Sequence, residues 1–233
     1  VQLGVLLDHL ERTGRAEDTV IVLTSDHGDY LGDHWLGEKD LFHDPSVKIP
    51  MIIMDPRPAA DATRGTTCDA LVEAIDLAPT FVEMAGGAVP DHILEGRSLL
   101  PWLYGETPDW RDCVISEFDY SATPQALRLG LEPKAARLFM VFAGRFKLMH
   151  AEGGFRPMLF ELQNDPEDFH DLAKTAGHEG EITRLYGLLA AWGRRCAQRV
   201  TVSDDDIAGM RGRALRKGIL PFLVDGSEVP DAL

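Results

Sequence analysis

The chain begins with Leu3, Leu6, Leu7 and Leu10 at the 3–4 residue spacing of one helix face, which predicts a helix over 2–12. Thr13-Gly14-Arg15 ends it, with Gly14 suited to the left-handed position just past a helix. Thr19-Val20-Ile21-Val22-Leu23-Thr24 is apolar or β-branched without alternation, the pattern of a strand covered on both faces in a mostly parallel sheet. Met51-Ile52-Ile53-Met54, between Pro50 and Pro56, predicts a second short buried strand. Asp76 is placed to cap a helix from Leu77 to Ala85, with Pro79 in its first turn and Gly86-Gly87 after it.

The pattern changes near residue 110. Four strand-like runs follow with no helical pattern between them: 113–118, 138–142, 145–149 and 158–162. A tight hairpin turn is expected at Ala143-Gly144. Strands in succession imply an antiparallel sheet, so an α/β arrangement gives way to an α+β one. Residues 179–199 then read as an amphipathic helix carrying Ile182, Leu185, Leu188, Leu189 and Trp192 on one face. From 201 to 233 an Asp204-Asp205-Asp206 run and scattered arginines read as a tail. A helical face that begins with the first residues, without an initiator Met, leads us to expect a piece of a longer protein.

Composition narrows the function classes. The 233 residues carry 23 Lys+Arg against 38 Asp+Glu, a formal charge of −15, which argues against nucleic acid as a partner. No apolar run is long enough to span a bilayer. Cys68, Cys113 and Cys196 are too few and too far apart for a disulfide framework, and read as buried thiols of a reducing compartment. With no glycosylation sequon at the single Asn164, a bacterial cytoplasm is the expected location.

The chemistry concentrates in Ser25-Asp26-His27-Gly28-Asp29-Tyr30-Leu31-Gly32-Asp33-His34, just past the first strand. Open α/β sheets bind ligands beyond the carboxyl ends of their strands. Carboxylate and neutral imidazole are both ligands for a divalent cation. Adjacent strand residues face opposite ways, so Asp26 and His27 share an ion only if the backbone turns out of the strand, which Gly28 permits. Taken alone, the same residues are equally a polar turn. Asp33 looks like an N-cap, and His34 and His43 are further residues that could reach such a site. His9, His92, His150, His170 and His178 are read as surface residues.

The run from Thr24 to His34, followed by Gly37-Glu38-Lys39 and Ser46-Val47-Lys48-Ile49-Pro50, resembles the sulfatase family of the alkaline phosphatase superfamily. Asp76-Leu77-Ala78-Pro79-Thr80, Gly96-Arg97-Ser98-Leu99-Leu100-Pro101 and Leu159-Phe160-Glu161-Leu162 with Asn164-Asp165-Pro166-Glu167 keep the family's order. Asp-His at 26–27 is most similar to the phosphonate monoester hydrolase branch. The resemblance implies the C-terminal part of an alkaline-phosphatase-like α/β sandwich over 1–109. A small antiparallel-sheet α+β subdomain with its packing helix would follow over 110–200. Residues 201–233 would be an extended tail, a candidate oligomerisation arm of a homo-oligomer. It also implies that Asp26 and His27 ligate one divalent metal ion, manganese or calcium. Lys39, twelve residues after His27, would contact the non-bridging oxygens of a phosphonate, phosphate or sulfate ester. The family's nucleophile is a formylglycine made from a cysteine in a Cys-x-Pro/Ala-x-Arg context, and none of the three cysteines has that context. The resemblance therefore implies a hydrolase of phosphonate and phosphate mono- and diesters, with sulfatase activity on aryl, choline or sugar sulfates as the alternative. A reading of a different class is a non-catalytic piece that serves oligomer assembly.

Overall fold

The computed structural model describes residues 2–90, 94–194 and 209. In chain order its main elements are α1 (Gln2–Arg12), β1 (Ile21–Thr24), α2 (Asp44–Val47), β2 (Met51–Met54), α3 (Leu77–Met84) and α4 (Leu100–Leu103). These are followed by β3 (Cys113–Asp119), α5 (Pro124–Arg128), β4 (Arg137–Ala143), β5 (Phe146–Ala151), β6 (Met158–Glu161) and α6 (Glu179–Gly193). The chain divides into two compact units: Val1–Asp26 with Ile49–Arg111, and His27–Lys48 with Asp112–Leu233.

In the first unit β1 and β2 pair antiparallel, Ile21 opposite Met54 and Thr24 opposite Met51. The expectation of a parallel strand covered on both faces is corrected here. The two strands form a sheet of their own, and cross-strand neighbours Leu23 and Ile52 are 36% and 59% exposed. A two-stranded pair has too little apolar surface to bury both of its faces. Helix α1 has its expected bounds and buries none of its residues. Asp76 precedes α3 as expected but makes no side-chain cap. Its carboxylate is fully buried and accepts from the backbone N–H of Glu73 and Arg97 and from the Arg111 guanidinium, whose Nη2 lies 2.6 Å from Oδ1. Asp76 is thus an anchor between distant segments. Thr80, also buried, donates to Asp76 O and accepts from Leu99 N.

In the second unit β3, β4, β5 and β6 form an antiparallel sheet in that order. Ala143 pairs with Phe146, so the turn is Gly144-Arg145, one residue later than expected, with Gly144 at φ +66°. Side chains alternate across the pleat. Val141, Ala143, Leu148 and Leu159 face one way and pack with Leu185, Ile182 and Leu189 of α6. Met140, Met149 and Phe160 face the other way and pack with Phe42 and Val47 from the 27–48 segment. The sheet is therefore covered on both sides, by a helix and by the segment that carries the candidate chemistry. The expected helix residues 195–199, and the tail 201–233 apart from residue 209, lie outside the described residues, as do His92 and Cys196. Cys68 is exposed and Cys113 half-buried, so the expectation of buried thiols fails for Cys68, which sits in a polar Thr-Thr-Cys-Asp stretch. Among the described residues no helix is long and apolar enough to cross a membrane.

Candidate active site

Strand β1 ends at Thr24, and the chain passes from the first unit to the second between Asp26 and His27. Segment 27–48 closes on itself through backbone bonds. Gly28 N donates to Ser46 O at 2.7 Å and Tyr30 N donates to Glu38 O at 2.9 Å. The role of Gly28 differs from the one expected. Its φ lies outside the left-handed region, and it is needed because a Cβ there would sit 1.9 Å from the Pro45 carbonyl oxygen. The Ser46 hydroxyl, buried, donates to Lys39 O at 2.5 Å.

These closures return Lys39 to His27 across twelve residues, with Lys39 Nζ 3.0 Å from His27 Nε2. The other ring nitrogen, Nδ1, lies 2.7 Å from Gly28 O. A carbonyl only accepts, so Nδ1 carries the proton and Nε2 offers a lone pair, to which the Lys39 ammonium donates. Lys39 and Asp26 are solvent-exposed and His27 is half-buried.

The loop tip between them is held in unusual backbone. Leu31, His34, Trp35 and Glu38 all have φ between +47° and +63°. Left-handed backbone costs a non-glycine residue about 1–2 kcal/mol, and such outliers persist only where surroundings over-determine them. Asp33 does not act as the expected N-cap: Gly32 precedes the short 3-10 turn Asp33–Trp35, and no side chain caps it. Asp29 supplies the local side-chain bond instead, accepting from Leu31 N.

His34 and His43 stack on each other, centroids 4.0 Å apart and planes 20° apart. Tyr30, buried, donates its hydroxyl to His43 Nδ1 at 2.8 Å. Burial, then the neighbouring His34 and Lys147 charges, push the His43 pKa down to about 4, so it accepts as a neutral ring. Burial pushes the Tyr30 phenol up to about 12. Both rings are engaged in packing the loop. His150, expected at the surface, stacks near Phe139 and bonds Tyr186 Oη at 3.0 Å.

For a metal ion the donor chemistry fits in part. His27, with Nδ1 fixed on a carbonyl, presents the tautomer that a ligating imidazole needs. Asp26 adds a carboxylate next to it in the chain. Among the described residues no three His, Cys, Asp or Glu side chains are grouped to hold a metal ion.

Residues that inspection of the sequence missed support this loop from below. Lys147 in β5 is 2% exposed, with Nζ 2.8 Å from Asp44 Oδ1 and 2.7 Å from Asp168 Oδ2. The signal was a single lysine at an inward position of an apolar strand, Phe146-Lys147-Leu148-Met149.

The family model for the C-terminal region of N-sulphoglucosamine sulphohydrolase matches residues 32–191, which include Lys39 and the whole four-stranded sheet. The chain belongs to the sulfatase family of the alkaline phosphatase superfamily. Among similar sulfatase-family proteins, the multifunctional alkaline phosphatase superfamily protein PehA of Trinickia caryophylli is 35% identical over 177 residues, 73% of this chain and 33% of that protein. An N-acetylglucosamine-6-O-sulfatase of Bacteroides thetaiotaomicron is 32% identical over 192 residues, 80% of this chain and 32% of that protein. The structure of a phosphonate monoester hydrolase of Agrobacterium radiobacter aligns with TM-score 0.74 and 32% identity, over 83% of this chain and 38% of that one. The chain thus spans about a third of the length of these sulfatase-family relatives.

Proposed function

We propose that this chain is part of a metal-dependent hydrolase of phosphonate and phosphate mono- and diesters that also accepts sulfate esters. The observation that carries the reading is the His27–Lys39 pair, Nε2 to Nζ 3.0 Å, on a loop closed by Gly28, Tyr30 and Ser46. Asp26 and His27 would hold one divalent cation, manganese in preference to calcium because imidazole suits the softer ion. A cation held there would supply Lewis acidity to an ester oxygen, and a formylglycine made from a cysteine outside these 233 residues would supply the nucleophile.

The chain's own residues have three tasks. His27 keeps its proton on Nδ1 by donating to Gly28 O, which leaves the Nε2 lone pair as the one a cation would take. Lys39 brings its ammonium within 3.0 Å of that atom; with a cation on Nε2 the ammonium would turn to an ester's non-bridging oxygens, which such a charge stabilises as they gain density in the transition state. Ser46 fixes the Lys39 backbone and thereby the origin of that side chain. By itself the 233-residue chain is proposed to turn over neither ester class, and the tail 201–233 is proposed as an arm to a second copy.

The test is side-by-side kinetics of the intact protein on a phenyl phosphonate monoester and an aryl sulfate. The reading expects the phosphonate to be preferred, and Lys39→Met to lower kcat/KM by roughly 10²–10³ on both, the effect of removing one oxyanion-stabilising group. Preference for the aryl sulfate would select the sulfatase reading. A Lys39→Met enzyme as active as the parent would remove Lys39 from the reaction.

A further inference from the structure

Lys147 is a charge where the pleat calls for an apolar side chain. Its cross-strand neighbours are Phe142 on β4 and Phe160 on β6, and it points to the face covered by the 27–48 segment. Burying an ammonium there is costly unless both charge and hydrogen bonds are matched. Two carboxylates match it. Asp168 comes from the unit's own sheet-flanking chain, while Asp44 belongs to the loop. They are unequal partners. Burial leaves the Asp168 carboxyl above its usual range in spite of Lys147, and its Oδ1 is buried with no hydrogen-bond partner among the described residues. The Asp44 carboxyl stays below the usual range, because burial is outweighed by Lys147 and Lys48.

From Asp44 the connection to the candidate site is short and continuous. Asp44 opens α2, in which Ser46 is buried. Ser46 O accepts from Gly28 N and Ser46 Oγ donates to Lys39 O. One residue therefore ties both ends of the segment whose side chains meet at His27 and Lys39. We propose that Lys147, acting through Asp44 and Ser46, is a positioning residue that sets the spacing of His27 and Lys39. The inference rests on the hydrolase reading for its kinetic consequence, though not for the mechanical one.

The test removes each carboxylate of Lys147 in turn, in the intact protein. Asp44→Ala cuts the loop from the clamp and leaves Lys147 paired with Asp168. Asp168→Asn leaves Lys147 paired with Asp44, and Asn tolerates the left-handed backbone at that position (φ +55°). Hydrogen–deuterium exchange is read over peptides covering 27–48, together with Mn2+ affinity, kcat and KM. Asp44→Ala is expected to speed exchange across 27–48 at least tenfold. It should weaken Mn2+ binding and lower kcat roughly tenfold each, as losses of supporting contacts around a site do, with a smaller change in KM. Asp168→Asn is expected to lower the melting temperature while loop exchange, Mn2+ affinity and kcat stay within about twofold of the parent. Unchanged exchange in Asp44→Ala, or equal acceleration in both variants, overturns the positioning role and leaves Lys147 a stabiliser of the sheet. If the parent hydrolyses neither ester, the hydrolase reading falls, and the contrast in exchange still decides whether the clamp sets the loop.

Discussion

Replacing Gly28 by alanine tests the loop closure at its tightest point. The added Cβ would lie 1.9 Å from Pro45 O, 2.9 Å from Pro45 C and 3.2 Å from Ser46 O. All three are backbone atoms, so no rotamer change relieves the clash. Restoring ordinary contact at 3.4 Å requires the two stems of the loop to part by 3.4 − 1.9 = 1.5 Å. A separation of that size carries the 2.7 Å Gly28 N to Ser46 O bond out of hydrogen-bonding range. One backbone hydrogen bond contributes about 1 kcal/mol and forced overpacking costs about 1–3 kcal/mol, so the expected loss is about 2–4 kcal/mol. Urea unfolding of the intact protein measures it. Gly144→Ala is the control: its added Cβ meets nothing within 4 Å, and only the φ +66° backbone opposes it, at about 1–2 kcal/mol. Because Gly28 O also holds His27 Nδ1, Gly28→Ala should in addition weaken Mn2+ binding, which Gly144→Ala should not. Gly28→Ala with a stability loss no larger than that of Gly144→Ala, and with unchanged metal affinity, would refute the claim that this contact closes the loop.

Stability should also fall with acid through His43. Its folded pKa of about 4 lies below the unfolded value near 6.5, so the neutral ring's contribution is complete above pH 6.5 and is lost as pH drops towards 4. For this half-buried ring the loss is roughly 1–3 kcal/mol, and His43→Gln should flatten the slope of unfolding free energy over that window; an unchanged slope would assign the acid sensitivity elsewhere. In the other unit, Arg111→Met strips the fully buried Asp76 carboxylate of its guanidinium while two backbone N–H groups remain, and should cost about 3–5 kcal/mol in denaturant unfolding. A loss under about 1 kcal/mol would mean that those backbone donors suffice.

The four strands of the second unit and helix α6 were legible because apolar residues dominate each run at a strand or helix spacing. Each expected run falls inside or within two residues of an observed strand. The β1–β2 pair was not: a continuous apolar run such as 19–24 reads as doubly covered, and pairing direction is not encoded in the run itself. Asp76 and Asp33 show a different limit. Both read as caps, yet Asp33 is the first residue of its short 3-10 turn, and the Asp76 carboxylate is taken by Arg111 from 35 residues away. Local pattern cannot see a partner at that separation. That Lys39 and His27 belong to one site was implied by the family resemblance alone, since twelve loop residues have no intrinsic period; the direct contact between them was not foreseen. Lys147 was visible as an oddity, a lysine among apolar strand residues, but its meaning depended on Asp44, more than a hundred residues away.

The strain in the loop explains why its supports lie outside it. Four non-glycine residues in eight, Leu31, His34, Trp35 and Glu38, hold left-handed backbone, and Leu31 and Trp35 are almost fully exposed there. Nothing in their own propensities favours this, and exposed side chains return little burial energy in exchange. The shape must therefore be imposed by fixed points that are themselves well buried. Those are Tyr30 beneath the tip, Phe42 in the sheet's apolar layer and Ser46 at the returning stem, together with half-buried Asp44, which is fixed there by the buried Lys147. Three of the four reach segment 27–48 from its C-terminal half, and the Lys147 clamp sits at that end. His27 lies at the opposite end, where its Nδ1 is held on Gly28 O and Gly28 N is tied to Ser46 O. A substitution in the tip, Trp35→Gly for instance, touches none of these points and relaxes strain, whereas a small change at Gly28, Asp44 or Ser46 moves one side of the His27–Lys39 pair relative to the other. The geometry of the pair is thus more sensitive to residues that never face a ligand than to the exposed residues lying between its two members.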